Sequence, residues 1–252
     1  MRDHEHLKKD KEQSRRGFLA RAAAAAGGVL FLSPGLVLAE DSKEKGKDVK
    51  KPAEKEEQEV TPVEDLMREH GALNRILLIY DEAIARLGRS GADMPPEVLS
   101  GAAGIVRSFI EDYHEKLEEN FLFPRFRKAG KQVDLVEVLL AQHLAGRNLT
   151  DKIRHLATPP LLKEQETRRE LSEVLRQFSR MYRPHEARED TVLFPALKSI
   201  VSPHEYAALG EDFEKKEHEL FGEDGFEKMV DEIAGLERKL GIYDLSQFTP
   251  RT

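Results

Sequence analysis

The sequence predicts an all-α protein, an up-down-up-down four-helix bundle with extra C-terminal helices. Two observations carry that prediction. Apolar residues recur at three- and four-residue spacing through four long stretches, and no run alternates with period two over a useful length, so strands are not expected. Pro and Gly fall between the stretches and leave only short loops, and long helices joined by short loops pack antiparallel.

The chain of 252 residues begins with an address rather than with structure. Ser14-Arg15-Arg16-Gly17-Phe18-Leu19-Ala20 precedes a weakly apolar run from Ala22 to Leu38, which closes on Val37-Leu38-Ala39. The order is charged region, apolar region, small-residue cleavage site. The Arg pair followed by Phe-Leu resembles a bacterial twin-arginine export signal. An uncleaved anchor is the other reading. The run of about 17 residues, broken by Gly27, Gly28, Pro34 and Gly35, is short for a span of about 20 apolar residues. Residues 1–39 are therefore read as a signal peptide and the mature protein as periplasmic, with no stable membrane insertion. The twin-arginine route carries proteins already folded, often around a cofactor, so a cofactor is expected.

Residues 40–60 are read as a solvated tether. Of the 20 residues from Glu40 to Glu59, 14 are charged, six Lys and eight acids, and nothing there can bury a core. The whole chain has a net charge of −7, and residues 1–39 carry seven Lys/Arg against four Asp/Glu. Without that +3 the remainder is at −10, a poor match for a phosphate backbone, so no nucleic-acid partner is expected. There is no Cys, which excludes disulfides, thiolate metal sites and Cys nucleophiles.

Thr61-Pro62-Val63-Glu64 reads as a capping box opening the first helix, which runs to about Leu87 and stops at Gly88. The second is expected from Pro95-Pro96 to about Phe123, before Pro124. Gly130 separates it from a third, 133–156. The fourth is expected over 161–193, between Pro159-Pro160 and Pro195. These four make a bundle over 61–199. Ser202-Pro203-His204-Glu205 is a second capping box and opens a fifth helix. A sixth follows over about 226–240, so 200–252 is a helical extension.

Four histidines stand where core residues belong. His70 shares the stripe of Val63, Leu66, Leu73 and Leu77. His114 shares that of Val106, Ile110, Leu117 and Phe121. His143 follows Val136, Leu139 and Leu140, and His185 follows Val174, Phe178 and Met181. His114 and His185 each have a carboxylate four residues on, Glu118 and Glu189, one turn along the same face. Six inward polar groups need a shared partner, because an unpaired buried charge costs on the order of several kcal/mol. A pair of divalent cations suits neutral imidazoles plus carboxylates.

The pattern also repeats. Residues 114–124 align without gaps on 185–195, sharing His, Glu, Glu, an acid, then Phe-Pro at an offset of 71, and His70 and His143 are offset by 73. Each half of a duplicated bundle then gives two His to one metal, with the two Glu bridging.

The order His, His-x-x-x-Glu…Phe-Pro, His, His-x-x-x-Glu resembles the hemerythrin-like, His-His-Glu cation-binding family. The resemblance covers roughly Thr61 to Ser199. It implies a four-helix bundle around a non-haem di-iron centre. By resemblance His70, His114, His143 and His185 are iron ligands, and Glu118 and Glu189 are bridging carboxylates. Members carry or sense O2, hold iron, or respond to nitric oxide and redox stress, so the implied partner is a small diatomic ligand such as O2 or NO.

Two departures matter. Oxygen-carrying hemerythrins use another His one turn along the third ligand helix, where this chain has Arg147. They also use an Asp five residues after the last ligand His. Asp190 stands there, but in a regular helix it lies some 140° off the His185 face, so Glu189 is preferred. Arg147 either points outward or holds a carboxylate beside the ligands. Glu115 and Glu186, directly after ligand histidines, read as outer or solvated groups, and Tyr113 and Tyr182 as packing residues.

The leading functional reading is a periplasmic di-iron protein that binds O2 or a related ligand, or senses redox state. Zinc and manganese also suit the ligand types. A di-iron oxidase, ferroxidase or peroxide- or nitric-oxide-handling enzyme on the same bundle is the alternative, and a metal-free helical interaction module is the third.

Overall fold

The structure, a computed structural model, describes residues 60–89 and 94–250. The expected export signal and tether, up to residue 59, lie outside the described residues. Within them the chain is helical, without a strand. Helix α1 is Pro62–Arg89, α2 the continuous run 96–129, and α3 Val133–Leu156. Helix α4 is the run 165–197, preceded by a 3-10 turn at Leu161–Lys163, and α5 and α6 are Pro203–Phe221 and Gly225–Leu240.

Both capping boxes form. The Glu64 N–H donates to Thr61 Oγ1 (3.3 Å) and the Thr61 N–H donates to Glu64 Oε2 (2.9 Å). Ser202 and Glu205 repeat the exchange at α5.

Two helices run past their expected ends. Helix α2 continues through Pro124 to Ala129, and α4 through Pro195 to Leu197. The cause is local. Residues Glu118–Leu122 and Glu189–Leu193 are π-helical, and the N–H after each reaches back five residues, Phe123 to Glu118 and Phe194 to Glu189. Each proline then falls in the first turn of a fresh α segment, where a missing N–H costs little. The Phe121 carbonyl accepts from Arg125 Nη1 (2.6 Å). At the other end, α4 starts at Gln165 because the chain after Pro160 makes the 3-10 turn first.

Helices α2 and α3 are antiparallel, as the cross-pairs Arg107–Asp151, Glu115–Arg147 and Glu119–His143 show by running in opposite directions. So are α1 and α4, through His70–Asp190 and Asn74–Glu186. Contacts of α1 with α2 and α4, and of α3 with α2 and α4, close a four-helix bundle. Its interior is filled by Leu73, Ile76, Tyr80, Phe109, Leu175 and Phe178, all 0–1% exposed. Helix α6 lies on α1 and the start of α2, pinned by Arg75 to Glu237 (2.9 and 2.5 Å). Helix α5 packs on α1 and α2, with Phe213 against Phe121 and Phe221 against Phe109 and Tyr113. Among the described residues no helix is long and apolar enough to cross a membrane.

Candidate metal centre

All six residues singled out by the repeat meet inside the bundle, and none is more than 3% exposed. The four imidazoles turn Nε2 inward. Glu118 Oε2 lies 3.9 Å from His114 Nε2 and 3.4 Å from His143 Nε2. Glu189 Oε2 lies 3.2 Å from His185 Nε2 and 3.4 Å from His70 Nε2. Each carboxylate therefore stands between a histidine of its own half and one of the other half. Donor atoms fall into two groups that share Glu118: His70, His114, Glu118, and Glu118, His143, His185, Glu189.

The chemistry of this cluster fits cations. Both oxygens of Glu118 and both of Glu189 are buried without a hydrogen bond. Four orphaned carboxylate oxygens in a closed core cost several kcal/mol unless something charged meets them. The separations between these carboxylate oxygens and imidazole nitrogens run from 3.2 to 3.9 Å. They suit two donors that each stand about 2.1 Å from a common ion. Without cations, burial and then the charge on Glu189 push the Glu118 pKa well above the usual carboxylate range.

The outward nitrogens are as ordered as the inward ones. Each Nδ1 meets an acceptor: His70 to Asp190 (2.8 Å), His114 to Glu69 (2.6 Å), His143 to Glu119 (3.1 Å) and His185 to Gln142 (2.9 Å). In the neutral ring an acceptor at Nδ1 makes that nitrogen the N–H and leaves the Nε2 lone pair facing the centre, as metal-ligating histidines require. The pattern obeys the repeat. Glu119 and Asp190 are offset by 71 and each grips the first His of the opposite half. Glu69 and Gln142 are offset by 73 and each grips the second His of its own half.

The repeat's Phe has the same logic. Phe194 stacks on His70 (5.4 Å, 17°) and Phe123 on His143 (5.5 Å, 22°). Each Glu-acid-x-x-x-Phe strip thus clasps the first His of the other half with a carboxylate, a hydrogen bond and a ring. The strip can do so because it is π-helical, which re-aims its side chains.

Asp190 is not part of the inward group. Its oxygen meets His70 Nδ1, the outer nitrogen, and its side chain is 35% exposed. Arg147 turns inward, to Glu115 (2.7 Å) and Glu119 (2.6 Å). Its repeat counterpart Asn74 does the same for Glu186. Glu115 and Glu186 are therefore not solvated. They are 1% and 3% exposed, and Glu115 also accepts from the Tyr182 hydroxyl (2.7 Å), so Tyr182 has a polar role beyond packing.

Sequence reasoning did not find Glu69, Gln142 or Asn74. The signal was present: Glu69 and Gln142 each directly precede a repeat histidine, and Asn74 and Arg147 each follow one by four residues. These partners share no residue type, so motif matching passes over them.

A helical bundle that buries four imidazoles around two orphaned carboxylates is a His/Glu metal-binding protein. The comparisons give the family. The model of the Hemerythrin HHE cation binding domain matches residues 61–159 and again 134–242, two matches whose starts differ by the 73 residues that separate His70 and His143. The chain belongs to this family. It is 46% identical over 235 residues, covering 93% of this chain and 91% of the relative, to "Uncharacterized protein Mb2018" of Mycobacterium bovis. The same figures hold for "Uncharacterized protein Rv1995" of Mycobacterium tuberculosis. No solved structure matches.

Proposed function

We propose that the protein is a non-haem di-iron protein of the periplasm that binds O2 or a related small ligand such as NO, or senses redox state through such a ligand. The observation that carries the reading is the pair of bridging positions: Glu118 and Glu189, each with two orphaned oxygens and each set between histidines of opposite halves. His70, His114, His143 and His185 would hold the ions, two to each, and the two glutamates would join them. Iron bound there supplies reversible one-electron chemistry and an affinity for diatomic ligands. Six protein residues shared by two ions leave coordination positions for such a ligand.

The chain's own groups do the rest. Asp190, Glu69, Glu119 and Gln142 fix the imidazole tautomers, and Phe123 and Phe194 hold two of the rings in place. The closed core keeps bulk water from the cluster. Arg147 stands where the oxygen carriers have another His, and two carboxylates occupy it. With only four His, the reading favours a sensor or scavenger over a store.

The test is optical. Anaerobically reduced, iron-loaded protein should change its visible spectrum on addition of NO and of O2, and Glu189→Ala should abolish both changes. A wild-type spectrum indifferent to both gases overturns the reading. Export is tested separately: Arg15-Arg16 changed to Lys-Lys should leave unprocessed protein in the cytoplasm, and normal export of that variant overturns the twin-arginine route.

A further inference from the structure

We propose a third cation site, outside the dinuclear centre and built on Asp65, Glu69 and Glu217, which takes a hard divalent cation such as Mn2+ or Fe2+. Asp65 and Glu69 lie one turn apart on α1, and Glu217 comes from α5. One oxygen from each gathers within 4.8 Å of the others. All three donors are carboxylates, a set that suits hard divalent cations.

Two buried groups point to a ligand there. Glu69 is 0% exposed and gives Oε2 to His114 Nδ1, while its Oε1 has no hydrogen bond. The Tyr113 hydroxyl, 1% exposed, lies beside Glu69 without reaching hydrogen-bond geometry. Burial first, and then the charges of Glu69, Glu217 and Asp65, push its pKa up.

The repeat shows that the site is an addition. Were Glu69 needed only as an acceptor for a histidine, an amide would do, and at the matching place in the other half one does: Gln142 serves His185. The position matching Asp65 is Val138, 54% exposed. The third acid belongs to the C-terminal helices, which have no counterpart in the first half. Gly225, at the start of α6, makes room for it, because a Cβ there would stand 2.8 Å from Glu217 Oε1. That oxygen accepts from the Phe226 N–H (2.8 Å), which fixes the side chain. Arg68 pairs with Asp65 (3.3 Å) and with Glu227 (3.5 Å), so its charge is shared with an acid outside the three. Asp65 and Glu217 are partly exposed, so an ion reaches the site from solvent.

The proposal rests on the dinuclear reading only in calling this ion the third. The full mature chain is loaded with iron, desalted, counted for iron, and then titrated with Mn2+, with free Mn2+ read by its electron paramagnetic resonance. Wild type should take up one further Mn2+. Glu217→Gln keeps the oxygen that meets Phe226 but removes the charge, and should weaken that uptake by at least about tenfold with the iron count unchanged. Asp65→Asn should do the same. No Mn2+ uptake by wild type, or uptake equally tight in Glu217→Gln, overturns the site. The iron count is read before Mn2+ is added, so failure of the dinuclear reading shows there. The Mn2+ titration decides the outer site in either case.

Discussion

His70 Nδ1 and Asp190 Oδ1 stand 2.8 Å apart across 120 residues of sequence, joining the first helix of one half to the last helix of the other. The partly exposed carboxylate holds a fully buried ring in the tautomer that presents Nε2 to Glu189. Asp190→Ala should lower metal affinity by roughly 10- to 100-fold, the scale for such outer partners. Asp190→Asn keeps an acceptor and should lose less. Competition with a coloured chelator measures both. Equal affinity in Asp190→Ala and wild type would show that the contact does not tune the centre.

Glu118→Gln should have opposite signs with and without metal. In the metal-free protein burial and Glu189 push the Glu118 pKa well above the ordinary range. An acid whose folded pKa is raised costs stability as pH rises above its unfolded value, and the amide removes that cost. Thermal melts of metal-free Glu118→Gln should therefore match or exceed wild type, most clearly at alkaline pH. Metal retention after desalting should fall sharply in the same variant. A metal-free melt well below wild type would mean that the carboxylate has a partner beyond those described.

Metal binding should release protons. Burial alone would lower the His70 pKa, but Asp190 and Glu189 outweigh it and lift it to about 10, and Glu118 is raised as well. His70 carries a proton near pH 7 that an ion must displace, and the upward shift of Glu118 adds to that release. His143, lowered to about 4 mainly by burial, and His114, lowered well below its usual value, are already neutral there. Affinity should rise with pH between about 6 and 8, by about tenfold per unit for each displaced proton. Titration in buffers of different ionisation enthalpy counts them, and a count of zero contradicts this assignment.

Gly146 shows how tightly the surrounding groups are packed. A Cβ there would lie 2.0 Å from the Tyr182 hydroxyl, which donates to Glu115. Gly146→Ala should therefore displace Tyr182 and cost about 1–3 kcal/mol of stability by denaturant unfolding. It should also leave Glu115 with one partner fewer, since only Arg147 would remain to hold it.

Much of this arrangement was legible in the sequence because a duplicated pattern of chemically rare core residues has few explanations. His70, His114, His143 and His185 sit in apolar stripes, and Glu118 and Glu189 follow at one turn, so the inward set could be read from helical spacing alone. The ends of α2 and α4 could not. Proline reads as a stop in sequence, and the π segments that let the helix absorb Pro124 and Pro195 have no composition cue. The outer acceptors stayed hidden for a different reason. Glu69 and Gln142 differ in type, as do Asn74 and Arg147, so only the fold reveals that each pair occupies one position. For Glu115 and Glu186 the outer reading stands and only the solvated one fails: a step of 100° from a ligand does not mean exposure, because neighbouring helices bury that face too.

The central claim is that the orphaned oxygens of Glu118 and Glu189 mark a dinuclear site. Its most direct measurement is the metal content of the chain after aerobic iron reconstitution and desalting. The account predicts two iron ions per chain, falling below one in Glu189→Ala, with the weaker outer site emptied by the desalting. Less than about one iron per chain in wild type, with the bundle still folded, would contradict it.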